Sequence, residues 1–151
     1  MTRNQIDRVF DYDMLMKDAA NVTASAPAEV DSAAKIINLG GASRIDGAVI
    51  VDITVLEVAS NDELYDIIVQ GSASSTFASG IQNLGCLTVG ALGAHTTRGD
   101  LAALDVIGHY EIAFTNEQNG TSYQYLRLYT IVTGTIDTTG INYIAHLAKK
   151  A

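Results

Sequence analysis

"GAVIVDITVLEVA", residues 47–59, is the stretch on which the fold turns. Val49, Val51, Ile53 and Val55 fall on one alternating face. A period of two belongs to a strand, and β-branched side chains suit a pleated, half-buried surface. Downstream, "NDE" (61–63) breaks the chain, and "LYDIIVQGS" (64–72) brings Tyr65, Ile67 and Val69 to one face. "ASSTFASG" (73–80) is a Ser/Gly-rich loop, and "IQNLGCLTVG" (81–90) is a strand interrupted at Gly85. "ALGAHTTRGDLAAL" (91–104) reads as a connection, and "DVIGHYEIAFTN" (105–116) aligns Tyr110, Ile112 and Phe114. Asn119-Gly120 marks a tight hairpin turn. "DTTG" (137–140) is another turn, and Ile141, Tyr143, Ala145 and Leu147 share one face of the closing strand.

Upstream of residue 47 the signals are weaker. "AAKIINLGG" (33–41) is a short strand stopped by Gly40-Gly41. "MLMKDAANVTAS" (14–25) suggests a strand near Asn21–Ser25, followed by a loop at Pro27, the sole proline. Residues 1–13 read as an N-terminal arm, and residues 14–151 as a single β-sandwich domain. About eight strands at short spacing, with almost no amphipathic helix, predict an all-β fold. An antiparallel two-sheet sandwich, jelly-roll-like or of related topology, and a closed barrel both satisfy that pattern.

"SYQYLRLYTIVTG" (122–134) carries two different faces. Leu126, Leu128 and Val132 belong in a core; Tyr123, Tyr125, Arg127 and Tyr129 fall opposite them. Tyr and Arg are enriched at protein interfaces, where they combine large contact area with directional hydrogen bonds. Three readings of this stripe stand open: an intersubunit or partner surface, a cross-strand ladder within one sheet, or an inverted core.

Composition narrows the function. The chain of 151 residues is 48% hydrophobic and only 17% charged, with net charge −8. No Lys or Arg occurs between Ile45 and Thr97, while six carboxylates do, so neither a nucleic-acid patch nor docking on anionic membrane is expected. Little charge is left to cover a free surface, which fits burial in an assembly, a surface clothed in Thr, Ser, Asn and Gly, or both together. The polar start of the chain contains no apolar signal-peptide core, and no stretch has the length of a membrane span. Cys86 is the single cysteine; in its apolar run it reads as an inert core thiol.

Catalytic chemistry finds little footing. His95, His109 and His146 lie on separate elements, read as surface or interface residues, and make no zinc spacing. "SNDELYD" (60–66) departs from calcium-loop spacing and reads as a solvated acidic turn. No phosphate-binding glycine motif occurs, and a chain without Trp lacks the usual sugar platform. The expectation is therefore no enzyme, no catalytic residue, no metal and no cofactor.

Four stretches carry a family resemblance: "DAANVTASAPAEVDSAAKIINLG", "VIVDITVLEVASNDELYDIIVQGSASSTFASG", "YQYLRLYTIVTGT", and the closing Gly140, Ala145 and Leu147. Together, over residues 18–148, the chain resembles the capsid cement, or decoration, proteins of tailed bacteriophages, of the small trimeric β-sandwich type. The resemblance implies a jelly-roll-like sandwich and a homotrimer. Its implied partner is the major capsid protein, gripped on the outside of the virion head, with synthesis in the cytoplasm of a bacterial host. Tyr123, Tyr125, Arg127 and Tyr129 are the candidate intersubunit or capsid contacts. Arg3, Arg8 and Phe10 in the arm are candidates for a capsid-facing clamp. A glycan-binding or adhesin-like module on the same sandwich is the alternative.

Overall fold

The computed structural model describes residues 12–98 and 105–149. A short 3-10 turn (Tyr12–Met14) leads into β1 (Leu15–Val22), then β2 (Ala26–Pro27), β3 (Glu29–Val30), β4 (Ala33–Ala34) and β5 (Ile37–Asn38). The longer strands follow: β6 (Asp46–Leu56), β7 (Leu64–Ser72), β8 (Gln82–Gly90), and, after helix α1 (Leu92–Arg98), β9 (Gly108–Thr115). The last elements are β10 (Glu117–Gln118), β11 (Thr121–Ser122), β12 (Tyr125–Thr133) and β13 (Ile141–Lys149).

Two antiparallel sheets face each other. One has the order β1-β13-β6-β9 and the other β2-β12-β7-β8, with β5 also pairing β12. The pairing is nested: β1 with β13, β2 with β12, β6 with β9, β7 with β8. A long hairpin wound over itself produces this order, so the sandwich is a jelly roll.

The expected alternations locate the core. Val49, Val51, Ile141, Tyr143 and Ala145 of the first sheet face Tyr65, Ile67, Val69, Leu126 and Leu128 of the second, all at 0% exposure. Each Val, Ile and Leu among them contributes about 1.5–3 kcal/mol by leaving water. Thr130 Oγ1 and Tyr143 Oη lie 2.6 Å apart and join the two sheets by a buried hydrogen bond. At the β8–β9 side, a Cβ on Gly85 would stand 2.9 Å from Ile112, so the glycine lets the sheets close there. Asn119 (φ 52°) and Gly120 (φ 75°) form the expected tight turn between β10 and β11.

Several expectations are corrected. The first strand is β1, beginning at Leu15 rather than near Asn21. Two register shifts in β1 break its period and carry Lys17 inward to 2% exposure, so a lysine hides the strand in the sequence. Val55 leaves the core face and is 37% exposed. Across from it, Asn142 pairs Val55 and Tyr143 pairs Ile53, so Thr54 is an extra residue that flips the alternation. The connection after Gly90 contains α1, and its His95 is buried rather than on the surface. Cys86 is exposed, because β8 turns it to the outer face while Val89 faces the core.

Candidate functional site

Strand β12 positions the aromatic stripe on the outer face of the second sheet. Leu126 and Leu128 are at 0% exposure on the inner face, which removes the inverted-core reading. Tyr125, Arg127 and Tyr129 are half-buried on the outer face, and Ile131 continues the line at 37% exposure. Their cross-strand partners on β7 are Ser72, Gln70, Ile68 and Asp66. Tyr123 does not share this ridge. It precedes β12, and its Cβ lies 2.9 Å from where a Gly71 side chain would begin. Gly71 pairs Leu126, so Tyr123 covers a bare backbone on the inward side of the sheet.

The ridge is fixed from its flanks. Arg127 Nε donates to Gln70 Oε1 at 2.9 Å, and Gln70 Nε2 donates to Asn83 Oδ1 at 3.0 Å. This polar relay crosses β12, β7 and β8. The guanidinium carbon stands 4.4 Å from the Phe77 ring centroid and 5.3 Å from that of Tyr129. Desolvation lowers the Arg127 pKa from its usual value, and the group keeps its charge. Phe77 comes from the Ser-rich loop and is 5% exposed with φ 53°. A bulky residue at positive φ is strained. Loop hydrogen bonds hold it: Ser72 Oγ donates to Ser79 O, Ser74 N donates to Ser72 Oγ, and Phe77 N donates to Ser74 O.

The outward groups of the ridge have no protein acceptor. Among the described residues, the hydroxyls of Tyr125 and Tyr129 make no hydrogen bond, and Arg127 bonds through Nε alone. The cross-strand ladder is therefore present, but among the described residues it engages the guanidinium through Nε alone. Sequence alternation found Tyr125, Arg127 and Tyr129; it gave no hint of Phe77, Gln70 or Asn83, which only strand pairing and loop folding bring there. Arg3, Arg8 and Phe10 lie outside the described residues.

The acidic stretch has a different role from the solvated turn expected of it. Glu63 is fully buried and accepts from the backbone N–H groups of Ser60 and Asp62. Glu57, 8% exposed, accepts from the N–H groups of Asp137, Thr138, Thr139 and Gly140. Led by the Gly140 bond, these donors hold its pKa down to about 2 against the opposing effect of burial. The Asp62 carboxylate binds Thr135 through its N–H and hydroxyl. Glu57 and Asp62 fasten the β6–β7 connection to the 134–140 loop, and Glu63 closes the connection on itself. Among the described residues, no three His, Cys, Asp or Glu side chains gather to hold a metal.

The described surface also carries two shallow clefts. One, about 240 Å³, lies between β1 and the β2–β3 segment above Lys17, whose Nζ donates to the carbonyls of Asp18 and Ala20. Desolvation lowers the Lys17 pKa, and its ammonium sits 4.7 Å from the Tyr143 ring centroid. The other, about 450 Å³, lies between Asp62, Leu64, Gly93 and Thr133. No helix among the described residues is long and apolar enough to cross a membrane.

No family model and no curated protein matches the sequence. Among solved structures, the chain is similar to the CBM22-1–GH10 modules of the Clostridium thermocellum endo-1,4-β-D-xylanase 10B, complexed with xylohexaose. The identity is 12% and the TM-score 0.40, over 96% of this chain and 28% of that longer one.

Proposed function

We propose that the protein is a structural virion component: a homotrimeric decoration protein on the outside of a tailed-phage head, bridging major capsid proteins. The observation that carries the reading is the Tyr125–Arg127–Tyr129 ridge. Its rings are half-buried and its arginine is braced by Gln70 and Phe77, while its hydroxyls and the remaining guanidinium donors are left for a neighbour. Such groups are what interfaces use, since little rotamer freedom remains to be lost on contact. The resemblance of four sequence stretches to cement proteins supports a neighbour that is another copy or the capsid surface. Many copies, each contributing modest binding energy, reinforce a shell because its geometry makes their contacts simultaneous.

Light scattering at micromolar concentration tests the assembly, and a clean monomer rejects the trimer. The capsid role is tested by adding the protein to undecorated heads assembled from a tailed-phage major capsid protein. Wild type coats the heads, and the double variant Tyr125→Ala/Arg127→Ala loses trimer or occupancy. Deletion of residues 1–13 assigns the arm: undiminished retention on heads removes Arg3, Arg8 and Phe10 from the contact. Saturable binding on a glycan array, without head binding, would favour the adhesin alternative.

A further inference from the structure

Among the described residues, Arg127 is a cation without a carboxylate partner in an acidic protein. The chain carries net charge −8, yet no carboxylate among the described residues forms an ion pair with Arg127. On the ridge face, the nearest acidic position along the pairing register is Asp66, opposite Ile131. It lies four residues from Gln70, about 13 Å along β7, beyond a Debye length of about 10 Å at 0.1 M salt. Asp66 is itself hydrogen-bonded by Thr88 Oγ1. Of the five guanidinium N–H donors, Nε–H alone is used inside the protein.

The geometry also restrains the free donors. The Gln70–Asn83 relay orients the guanidinium at Nε, and the guanidinium itself stacks over the Phe77 ring at 4.4 Å. The planar Nη pair therefore keeps a defined direction, with Tyr125 and Tyr129 on either side along the strand. A planar fork with parallel N–H vectors matches a carboxylate better than any other common protein group. Stacked aromatics exclude water from the contact and strengthen it.

We propose that Arg127 is the receptor for an Asp or Glu carboxylate presented by the partner protein, gripped by its two Nη groups between Tyr125 and Tyr129. The inference rests on the ridge being a contact surface and specifies its chemistry. It selects an acidic segment of the capsid surface rather than an apolar one. The chain is net acidic, at −8, and so disfavours such a segment elsewhere, and the arginine also sets the register of docking.

The test uses the intact protein, labelled with ¹⁵N, and a capped tri-glutamate peptide, with a capped tri-glutamine peptide and inorganic sulfate as controls. The Arg127 Nε–H signal and the Gln70 and Asn83 amide signals shift saturably with the glutamate peptide, and far less with either control. Arg127→Lys, which keeps the charge but loses the fork, weakens the peptide by about 10- to 100-fold, and Arg127→Gln abolishes it. A motionless Arg127 signal overturns the proposal, as does equal affinity in either variant or for sulfate. Should a variant fail to fold, the wild-type comparison of glutamate with glutamine still decides. Head occupancy separates this inference from the reading beneath it. Heads coated equally by wild type and Arg127→Lys, with no peptide response, reject the carboxylate and leave the decoration role. A peptide response without head binding does the reverse.

Discussion

Glu57 and Gly140 are tied together twice. The Glu57 backbone N–H donates to the Gly140 carbonyl at 2.9 Å, and the Gly140 N–H donates to the Glu57 carboxylate at 2.7 Å. The pair joins the end of β6 to the start of β13, which are neighbours in the first sheet. It converts an acidic residue after a strand into the clasp of a distant loop.

Acid should open that clasp. The Glu57 pKa is depressed from 4.5 to about 2 in the folded protein. Its contribution to stability is therefore present above pH 4.5 and lost as pH falls toward 2. Thermal melts across this window should show a falling Tm for wild type. Glu57→Gln should melt lower at pH 7 and show a shallower decline; an identical pH profile would remove Glu57 from the acid response.

Glycines of the same backbone sign should differ sharply. At Gly140 (φ 63°) an added Cβ would sit 2.1 Å from the Val22 carbonyl oxygen, whereas at Gly120 (φ 75°) nothing lies within 4 Å. Gly120→Ala should cost about 1–2 kcal/mol, the strain of a left-handed residue alone. Gly140→Ala should cost more, because β1 must also move. Urea unfolding of the two variants gives the comparison.

The Thr130–Tyr143 bridge should be non-additive. Both side chains are at 0% exposure, and their oxygens are 2.6 Å apart. Thr130→Val or Tyr143→Phe alone leaves a buried hydroxyl unpaired, at about 1–3 kcal/mol each. The double variant should cost clearly less than the sum. Strict additivity in a denaturant cycle would show that the hydroxyls act independently.

Phe77 should govern the Ser-rich loop. Phe77→Ala removes a buried ring and should cost about 3 kcal/mol. It should also expose the 73–81 segment to limited proteolysis, with the rest of the sandwich still resistant. Cleavage distributed as in wild type would show that the ring does not hold the loop.

Cys86 offers a simple check on strand orientation. Its side chain is on the outer face, so Ellman's reagent should modify one thiol per chain without denaturant. Protection until unfolding would place β8 in the opposite register.

What sequence reveals here follows the range of the interaction. Tyr65, Ile67 and Val69, and likewise Ile141, Tyr143 and Ala145, were legible as inward faces because a strand's period is local. Val55 was misread because one extra residue at Thr54 inverts every position after it, and the bulge is defined only against β13. Lys17 and Glu63 were hidden because burial of a charge depends on carbonyls and N–H groups that surround it only after folding.

By itself, then, the sequence determined an all-β chain, most of its core-facing residues, and a strand with one aliphatic and one aromatic-arginine face. Tertiary structure decided the jelly-roll order, dropped Tyr123 from the ridge, and added Phe77, Gln70 and Asn83 to it. The reason is distance along the chain: Arg127 is held by a residue 57 positions away, and no local pattern encodes which strands become neighbours once two sheets close on a shared core.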